Sequence, residues 1–387
     1  MFLEPQEQTV CFFIAQENTL MLSYTYMTML LVLGAVAFLD LFVLLKLLYS
    51  LRLLRIPANE QVEESDLPTV TVCIPARNET HAMTACLERV VASDYPKLEV
   101  IVMDDGSRDD TSLLIKSFAF AGVRFIEGRP LPDGWLGKNY AQSILTNEAS
   151  GKVIFFMDVD TLIEKHTISR LVAYMRVRKA KMVSVVPQRN DDWQLSTLLT
   201  PMRYFWAVMR FTPSRPRAVS NAWLIDRDFL LDQWRIDKSL PLSMLLETSL
   251  ARKLADSRRY RLVMANKWLG LRYEKKWDSQ VETSIRLLYP QCDAYILQVV
   301  WWIALLCLSL VPYVIVWWQP WAFVLIAVQY LIAYFYLGSV WAKYRMVGAL
   351  ILPVTVIQEI GLLIVSTYKY KMGLVTWKGR PIAVNRR

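Results

Sequence analysis

Three apolar runs in the first half of the chain each end in a polar cluster. They cover residues 70–74, 98–103 and 153–157, and segments with helical spacing at 80–92 and 111–120 lie between them. Strands that alternate with helices predict a mostly parallel sheet with crossover helices, an α/β fold. In such sheets ligands bind beyond the carboxyl ends of the strands. We therefore expect the three polar clusters to meet at one edge of the sheet.

The cluster after the third run, Asp158-Val159-Asp160, contains two carboxylates that can share a cation. Many enzymes hold a divalent metal against a diphosphate in this way, although isolated Asp-x-Asp patterns are often solvated turns. The two earlier clusters are Pro75-Ala76-Arg77-Asn78-Glu79 and Asp104-Asp105-Gly106-Ser107. The alternative for Asn78, Asp104 and Asp105 is an ordinary turn or N-cap position. Three clusters at successive strand ends favour a ligand site.

Four ordered motifs, spread over residues 68–290, resemble those of family 2 glycosyltransferases. They are the two earlier clusters, then Gly134-Trp135-Leu136-Gly137-Lys138, then Asp158-Val159-Asp160. The Gly-Trp-x-Gly-Lys element and the Trp377-Lys378-Gly379-Arg380 tail are most similar to the membrane-bound branch that glycosylates lipids. This branch includes ceramide glucosyltransferases, carotenoid-ester glycosyltransferases and those associated with hopanoid biosynthesis. The resemblance implies a GT-A-like fold and inverting transfer of a sugar from a nucleotide diphosphate sugar, expected to be a UDP-sugar, to a lipid hydroxyl.

The resemblance also implies roles for individual residues. A divalent metal, Mg²⁺ or Mn²⁺, would lie on Asp160, with Asp158 contacting the metal, the sugar or the ribose. Asp105 would hold the uracil or the ribose. Lys138 would approach a phosphate or the sugar, and its alternative is an ordinary solvated lysine. The complete nucleotide-binding set implied in this way is Pro75, Arg77, Asn78, Glu79, Asp104, Asp105 and Lys138.

The general base is where the sequence departs from the family pattern. The family usually shows Glu-Asp before a helix, whereas Leu246-Glu247 stands here, so Glu247 occupies the position of the Asp. The resemblance therefore implies that Glu247 deprotonates the acceptor hydroxyl. A carboxylate near a dry acceptor site can have its pKa raised towards that task. The alternative is a first-turn helix residue that the helix dipole favours.

The Gln-x-x-Arg-Trp element of processive polysaccharide synthases is missing. Its nearest counterpart begins at Arg286, in the run Arg-Leu-Leu-Tyr-Pro. By resemblance, Arg286 assists the leaving diphosphate; the alternative is an interfacial arginine that contacts lipid headgroups. Asn221 and Trp223 belong, again by resemblance, to the acceptor wall. Residues 196–212 carry apolar side chains at helical spacing, which predicts either a helix at the membrane surface or a buried core helix.

Composition adds a membrane to this picture. At 54% hydrophobic residues and with a positive mean hydropathy, the chain is more apolar than an ordinary soluble domain. Apolar runs of bilayer-spanning length cover residues 27–49, 296–318, 321–342 and 347–367. The predicted organisation is a non-cytoplasmic segment at 1–26, a transmembrane anchor at 27–49, a catalytic domain at 50–290, about three membrane helices at 291–368 and a basic tail at 369–387.

Basic residues predict the orientation. Residues 1–26 contain no Lys or Arg, whereas residues 46–55 contain three. The positive-inside rule then places the catalytic domain in the cytoplasm, with the protein integral to a bacterial cell membrane. Three full C-terminal crossings would leave the basic tail outside, so residues 349–367, which Pro353 breaks, are predicted to be re-entrant or interfacial. The alternative is that Glu359 is a buried helix-bundle contact and the tail lies outside.

The net charge of +9 fits cytoplasmic loops that face anionic headgroups and a diphosphate, and the chain has no basic-aromatic pattern that would predict nucleic-acid binding. Five cysteines without CxxC spacing and two histidines leave little for a zinc site or a His-based triad. Three functions stay open: a lipid monoglycosyltransferase, a processive polysaccharide synthase, and a membrane scaffold without catalysis. The missing Gln-x-x-Arg-Trp and the few spans disfavour the second, and Asp105, Asp158 and Asp160 disfavour the third. The sequence leaves the sugar, the lipid and the oligomeric state undetermined.

Overall fold

The computed structural model describes residues 5–57, 67–190, 200–378 and 380–382 of the protein. Its strands are β1 (Val70–Ala76), β2 (Leu98–Asp104), β3 (Val123–Glu127), β4 (Val153–Met157), β5 (Thr161–Leu162), β6 (Met182–Val186), β7 (Gln188–Arg189), β8 (Ala222–Asp226), β9 (Tyr260–Met264), β10 (Arg272–Tyr273), β11 (Thr376–Trp377) and β12 (Arg380–Pro381). Its α-helices are α1 (Pro5–Leu53), α2 (Thr80–Val91), α3 (Thr111–Ser117), α4 (Gly137–Glu148), α5 (Thr167–Val177), α6 (Thr200–Arg203), α7 (Phe205–Arg210), α8 (Arg227–Ile236), α9 (Leu246–Lys253), α10 (Trp277–Gln291), α11 (Ile296–Ile315), α12 (Phe323–Val340), α13 (Arg345–Leu350) and α14 (Leu352–Met372).

A seven-stranded sheet with the order β3-β2-β1-β4-β8-β6-β9 forms the centre of the fold. All neighbouring strands are parallel except at β8, which runs antiparallel to both β4 and β6. The predicted α/β class with a mostly parallel sheet is confirmed. Because β1, β2 and β4 run in the same direction, the residues that follow Ala76, Asp104 and Met157 lie at one edge of the sheet.

The two predicted crossover helices are present, with one difference at an end. The first spans Thr80–Val91, and the second stops at Ser117 and continues as a single 3₁₀ turn at Ala119–Ala121. Gly122 then adopts a left-handed conformation with φ of 82°, which a side chain would disfavour. The glycine thus ends the helical segment and turns the chain into β3.

Helices cover both faces of the central sheet. On one face, side chains of α2 and α5, among them Met83 and Leu171, pack against the sheet. On the other face, α4 and α9 share one apolar cluster with the long helices α1 and α12, to which Leu47, Leu250 and Leu337 belong. Burial of this shared apolar surface fixes the sheet domain to the long helices, because separating them would expose it to solvent.

Within the described residues, three helices are long and apolar enough to cross a bilayer: Ser23–Leu53, Ile296–Ile315 and Pro320–Val340. The pair Ala342–Leu350 and Leu352–Met372 meets the same criteria together but is bent by 84°. The bend directly precedes Pro353 in the first turn of α14, where the pyrrolidine ring disfavours a continuous helix from the preceding turn. The predicted break is present, in the form of a broken span or a re-entrant loop. Its placement in a membrane stays a prediction.

The apolar stripe predicted at 196–212 lies partly outside the described residues, which resume at Thr200. From there the chain forms α6 and α7, which are separated at Tyr204. Met202, Trp206 and Val208 are buried. The described part of the stripe therefore packs inside the protein, as the buried-helix alternative requires.

Candidate functional site

The first two strand ends are joined by the side chain of Arg77. It is buried, and its guanidinium donates to the backbone oxygens of Asp105 and Gly106, the latter at 3.2 Å. The backbone reinforces this contact, since Asp105 N donates to Ala76 O at 2.8 Å. Arg77 therefore sets the distance between the loops after β1 and β2.

Asn78 and Asp104 hold these loops in shape. Asn78 has a φ of 52°, and its side-chain oxygen accepts a hydrogen bond from the backbone N–H of Arg108 at 2.9 Å. Asp104 accepts hydrogen bonds from the backbone and the hydroxyl of Ser107. Neither residue lines a cavity described below, and their geometry matches the turn alternative for both.

A cavity of about 710 Å³, which we call the charged cavity, lies above the ends of β1 and β4. Three carboxylates in it are each paired with a lysine. Lys138 Nζ lies 2.6 Å from Asp158 Oδ1, Lys275 Nζ lies 2.9 Å from Asp160 Oδ2, and Lys378 contacts Glu79. The lining includes Pro75, Arg77, Glu79, Lys138, Asp158, Asp160, Lys275, Arg286, Trp377 and Lys378. The arrangement can bind an anion, because each lysine ammonium group can donate its hydrogen bonds to a phosphate in place of its carboxylate partner.

Asp160 offers a position for a divalent metal ion. Its Oδ1 atom is buried and accepts no hydrogen bond, while Oδ2 accepts from Lys275. Burial alone would raise the pKa of Asp160, but the ammonium of Lys275, with the more distant Arg203 and Lys138, outweighs it and lowers the pKa. Among the described residues no three His, Cys, Asp or Glu side chains form a metal cage. A divalent ion at Asp158 and Asp160 would need oxygen atoms of a bound ligand as further donors.

The C-terminal tail closes one side of the charged cavity. Strands β11 and β12 pair, and Lys378 Nζ between them donates to Arg77 O at 2.7 Å. Arg380 Nη1 lies 2.8 Å from Asp105 Oδ2. Burial raises the pKa of the Asp105 carboxyl, while the guanidinium groups of Arg380 and Arg77 act in the opposite direction. Asp105 thus holds the tail in place.

The cations that pair with Asp160, Glu79 and Asp105 were not predicted as site residues: Lys275, Lys378 and Arg380. The sequence did carry a signal for Lys378 and Arg380, because both belong to the tail motif that supported the resemblance. The motif was not assigned a role in the site. No local pattern marked Lys275, which follows β10 and reaches Asp160 only because β10 pairs with β5, directly after the Asp-x-Asp turn.

A second cavity, which we call the mixed cavity, encloses about 1210 Å³ including its open mouth. Lys138, Arg286 and Trp377 line both cavities, so the two meet at these side chains. Glu247 lies in the mixed cavity, in the first turn of α9, and is 7% exposed. Burial raises the pKa of Glu247, although the positive charge of Lys138 partly offsets it. A buried carboxylate near such a junction can take a proton from a hydroxyl group.

The remaining predicted residues differ in their positions. Asn221 lines the mixed cavity, and its backbone oxygen accepts from Asp158 N at 2.9 Å, which fixes the Asp-x-Asp turn. Arg286 lies at the junction, with its guanidinium 5.9 Å from the ring centre of Trp377. Trp223 is fully buried in the core, stacked on Phe156 at 4.6 Å, and does not line the mixed cavity. Its distance from the cavity follows from its place in the central strand β8.

The mixed cavity extends from the charged cavity to α14, the second helix of the bent pair. Glu359 of α14 and Met202 of α6 belong to its lining. Glu359 is buried, and its Oε1 accepts a hydrogen bond from the indole nitrogen of Trp206 at 2.6 Å. The cavity thus reaches from the ends of the parallel strands to one helix of the C-terminal bundle.

Comparison with known proteins identifies relatives of this arrangement. A family profile described as Glycosyl transferase family 2 matches residues 71–230. An N-acetylglucosaminyltransferase of Rhizobium leguminosarum bv. trifolii is 33% identical over 142 residues, which are 35% of this chain and 78% of that protein. An N-acetylglucosaminyltransferase of Rhizobium meliloti (strain 1021) is 33% identical over 155 residues, 39% of this chain and 36% of that protein.

A 4,4'-diaponeurosporenoate glycosyltransferase of Staphylococcus aureus (strain bovine RF122 / ET3-1) is 31% identical over 122 residues, 31% of this chain and 32% of that protein. Among solved structures, the mannosyltransferase PcManGT from Pyrobaculum calidifontis, in complex with GDP-Man and Mn²⁺, superimposes with a TM-score of 0.55 at 19% identity. The superposition covers 87% of this chain and 97% of the mannosyltransferase. This likeness supports the GT-A-like fold.

Proposed function

Because the chain belongs to glycosyl transferase family 2, we propose that it transfers a sugar from a nucleotide diphosphate sugar to a hydroxyl group of a membrane lipid. The observation that carries the proposal is the position of Glu247. It lies buried in the mixed cavity, which meets the charged cavity at Lys138 and Arg286 and extends to Glu359 of α14. A base in this position would lie between a charged donor in one cavity and the hydroxyl group of an acceptor lipid in the other.

The charged cavity is the proposed donor site. Lys138, Lys378 and Arg286 would contact the diphosphate, because cations and phosphate oxygens form strong charge-assisted hydrogen bonds. Asp105 and Arg77 would border the nucleoside. The related mannosyltransferase binds GDP-Man, whereas we propose a UDP-sugar for this chain. N-acetylglucosamine is the first sugar to test, because two of the relatives are N-acetylglucosaminyltransferases.

A divalent ion on Asp158 and Asp160, Mg²⁺ or Mn²⁺, would neutralise the diphosphate as it leaves. Mn²⁺ is bound in the related mannosyltransferase, and the unpartnered Oδ1 of Asp160 supports an ion here. In the transfer step Glu247 accepts the proton of the acceptor hydroxyl, and the oxygen of that hydroxyl attacks the anomeric carbon of the sugar. The bond from that carbon to the diphosphate oxygen breaks, and Lys138 and Arg286 hold the departing charge.

Two observations support a lipid acceptor. The mixed cavity reaches Glu359 of α14, a helix of the bent pair that together meets the criteria for a span, and a relative is named for transfer to a carotenoid-related acid. We propose that the protein is integral to the membrane, with the catalytic domain on the cytoplasmic side, where residues 46–55 concentrate positive charge.

The test measures release of nucleoside diphosphate by detergent-purified protein that is given UDP- and GDP-sugars, Mg²⁺ or Mn²⁺, and a bacterial lipid extract. Lipid-dependent release should disappear in Asp160→Asn and in Glu247→Gln. Glu127→Gln removes an exposed carboxylate at the end of β3 and should behave as the wild type. Release by folded wild-type protein that does not depend on lipid would contradict a lipid acceptor. Release that gives stepwise extended products would indicate a processive synthase.

A further inference from the structure

A third cavity lies between the long apolar helices and measures about 920 Å³, including the space at its open side. We call it the apolar chamber. Side chains of α1, α7, α11, α12 and α14 form its wall, among them Val43, Phe205, Leu306, Ala333 and Val356. Ligand pockets are lined predominantly by apolar side chains with a few polar groups. The wall of the chamber has this character and suits a hydrocarbon ligand.

The apolar chamber adjoins the mixed cavity that contains Glu247. Met202 lines both spaces. Beside it, Trp206 faces the chamber, and its indole nitrogen donates to Glu359, which faces the mixed cavity. Trp206 also packs edge-on against Trp302 of the chamber wall, with ring centres 4.7 Å apart. The boundary between the two spaces thus consists of a few side chains, one of them a flexible methionine.

A polar contact joins three helices of the chamber wall. Gln329 of α12 donates to both carboxylate oxygens of Asp40 of α1 at 3.2 Å and to Ser309 O of α11 at 3.0 Å. Such hydrogen bonds between apolar helices contribute to their association. From Gln329 to Leu337, which also lines the chamber, α12 rises about 12 Å. The chamber therefore extends over two turns of α12, which gives room for several carbon atoms of a chain.

We propose that the apolar chamber holds the hydrocarbon chain of the acceptor lipid, which passes Met202 so that its hydroxyl end reaches Glu247. The inference rests on the proposed lipid acceptor and assigns a position to the hydrocarbon chain of that lipid. Two features support a chain over a compact ligand. The chamber extends about 12 Å along α12, and it adjoins the mixed cavity at Met202, whereas the lysine–carboxylate pairs line the charged cavity.

The test uses the full-length protein in nanodiscs with a long-chain primary alcohol that carries a diazirine midway along its chain. Illumination should cross-link this probe to chamber-lining peptides of α11 and α12, and a bacterial lipid extract should compete. Ala333→Trp, which fills the chamber, should lower cross-linking and lipid glycosylation about tenfold, the loss expected when about two methylene groups are excluded. Ala333→Leu should give a smaller loss and serves if the larger residue prevents folding.

The matched control is Leu331→Trp, because Leu331 belongs to the same helix but is 47% exposed, while Ala333 is 7% exposed. Equal effects of the two Trp variants, or cross-links only on outward-facing side chains, would overturn the chamber assignment and leave the proposed function intact. Chamber cross-links that the extract does not compete for would mean ordinary bilayer lipid and would also overturn it. Chamber cross-links without sugar transfer to any lipid would refute the proposed function instead.

Discussion

Replacement of Glu247 by Gln is the sharpest perturbation of the proposed chemistry. The amide keeps the size of the side chain but accepts no proton, so the acceptor hydroxyl loses its base. Glu247 is 7% exposed and borders the junction at which Lys138 and Arg286 line both cavities. The change removes one proton acceptor and leaves the shape of the cavity as it is.

The expected magnitude follows from the role of the residue. General base catalysis contributes about 10²- to 10⁴-fold, so kcat of Glu247→Gln should fall within that range. Glu247→Asp restores the residue type that the family usually has but withdraws the carboxylate by one carbon–carbon bond, about 1.5 Å. Because misplacement by about 1 Å can cost about 10²-fold, this variant should fall between wild type and Gln.

The pH dependence gives a second, independent readout. Burial raises the pKa of Glu247, and a base works only when deprotonated, so kcat/KM should fall as pH falls through this raised pKa, above the usual value of about 4.3. Glu247→Gln should lack this acidic limb. Lys138→Met should move the limb to higher pH, because the Lys138 ammonium lowers the pKa of Glu247.

Stability provides the control for folding. A carboxyl whose pKa is raised in the folded state is destabilising when ionised, so stability falls as pH rises through the window between its usual and its raised pKa. Glu247→Gln should therefore raise the Tm at neutral pH, and at pH 4 the difference should vanish. Transfer by a folded Glu247→Gln protein at the wild-type rate, or an acidic limb that persists in it, would refute the reasoning.

Three further changes test other parts of the site. Asp160→Asn should abolish the Mn²⁺-dependent part of UDP binding in calorimetry, because it removes one of the two carboxylates proposed to hold the ion; equal binding with and without Mn²⁺ in the wild type would contradict that role. Gly137→Ala should raise KM for the donor with a smaller change in kcat, because a Cβ there would lie 2.7 Å from the Trp377 ring and displace the tail; an unchanged KM would mean that the tail does not contribute to donor binding. Trp206→Phe should lower stability by about 1–3 kcal/mol in chemical denaturation, because it leaves the buried Glu359 carboxyl without its donor, and an unchanged midpoint would show that water replaces the indole.

Short-range patterns were enough to predict the framework of this protein. Apolar runs ending in polar clusters predicted parallel strands whose carboxyl ends meet, and β1, β2 and β4 have that arrangement. The break at Pro353 was predictable because proline restricts the turn that precedes it, whatever surrounds the helix. The Asp-x-Asp motif could be singled out because its two carboxylates lie two positions apart after an apolar run, whereas Glu247 was singled out by the resemblance to the family motif. For the strands, the break and the Asp-x-Asp motif, the determining interaction is local.

The tertiary structure decided which charges meet. Lys378 contacts Glu79 and Arg380 contacts Asp105 across about 300 positions of the chain, and no periodicity encodes such a pairing. Trp223, predicted from its motif to line the acceptor site, is instead packed in the core, because the pairing of β8 with β4 and β6 fixes its side chain there. Sequence alone determined the strand ends and their chemistry through backbone preference and hydrophobic spacing. Which cations neutralise the carboxylates, and that the cavity of Glu247 adjoins the apolar chamber, depends on long-range packing that only the folded chain specifies.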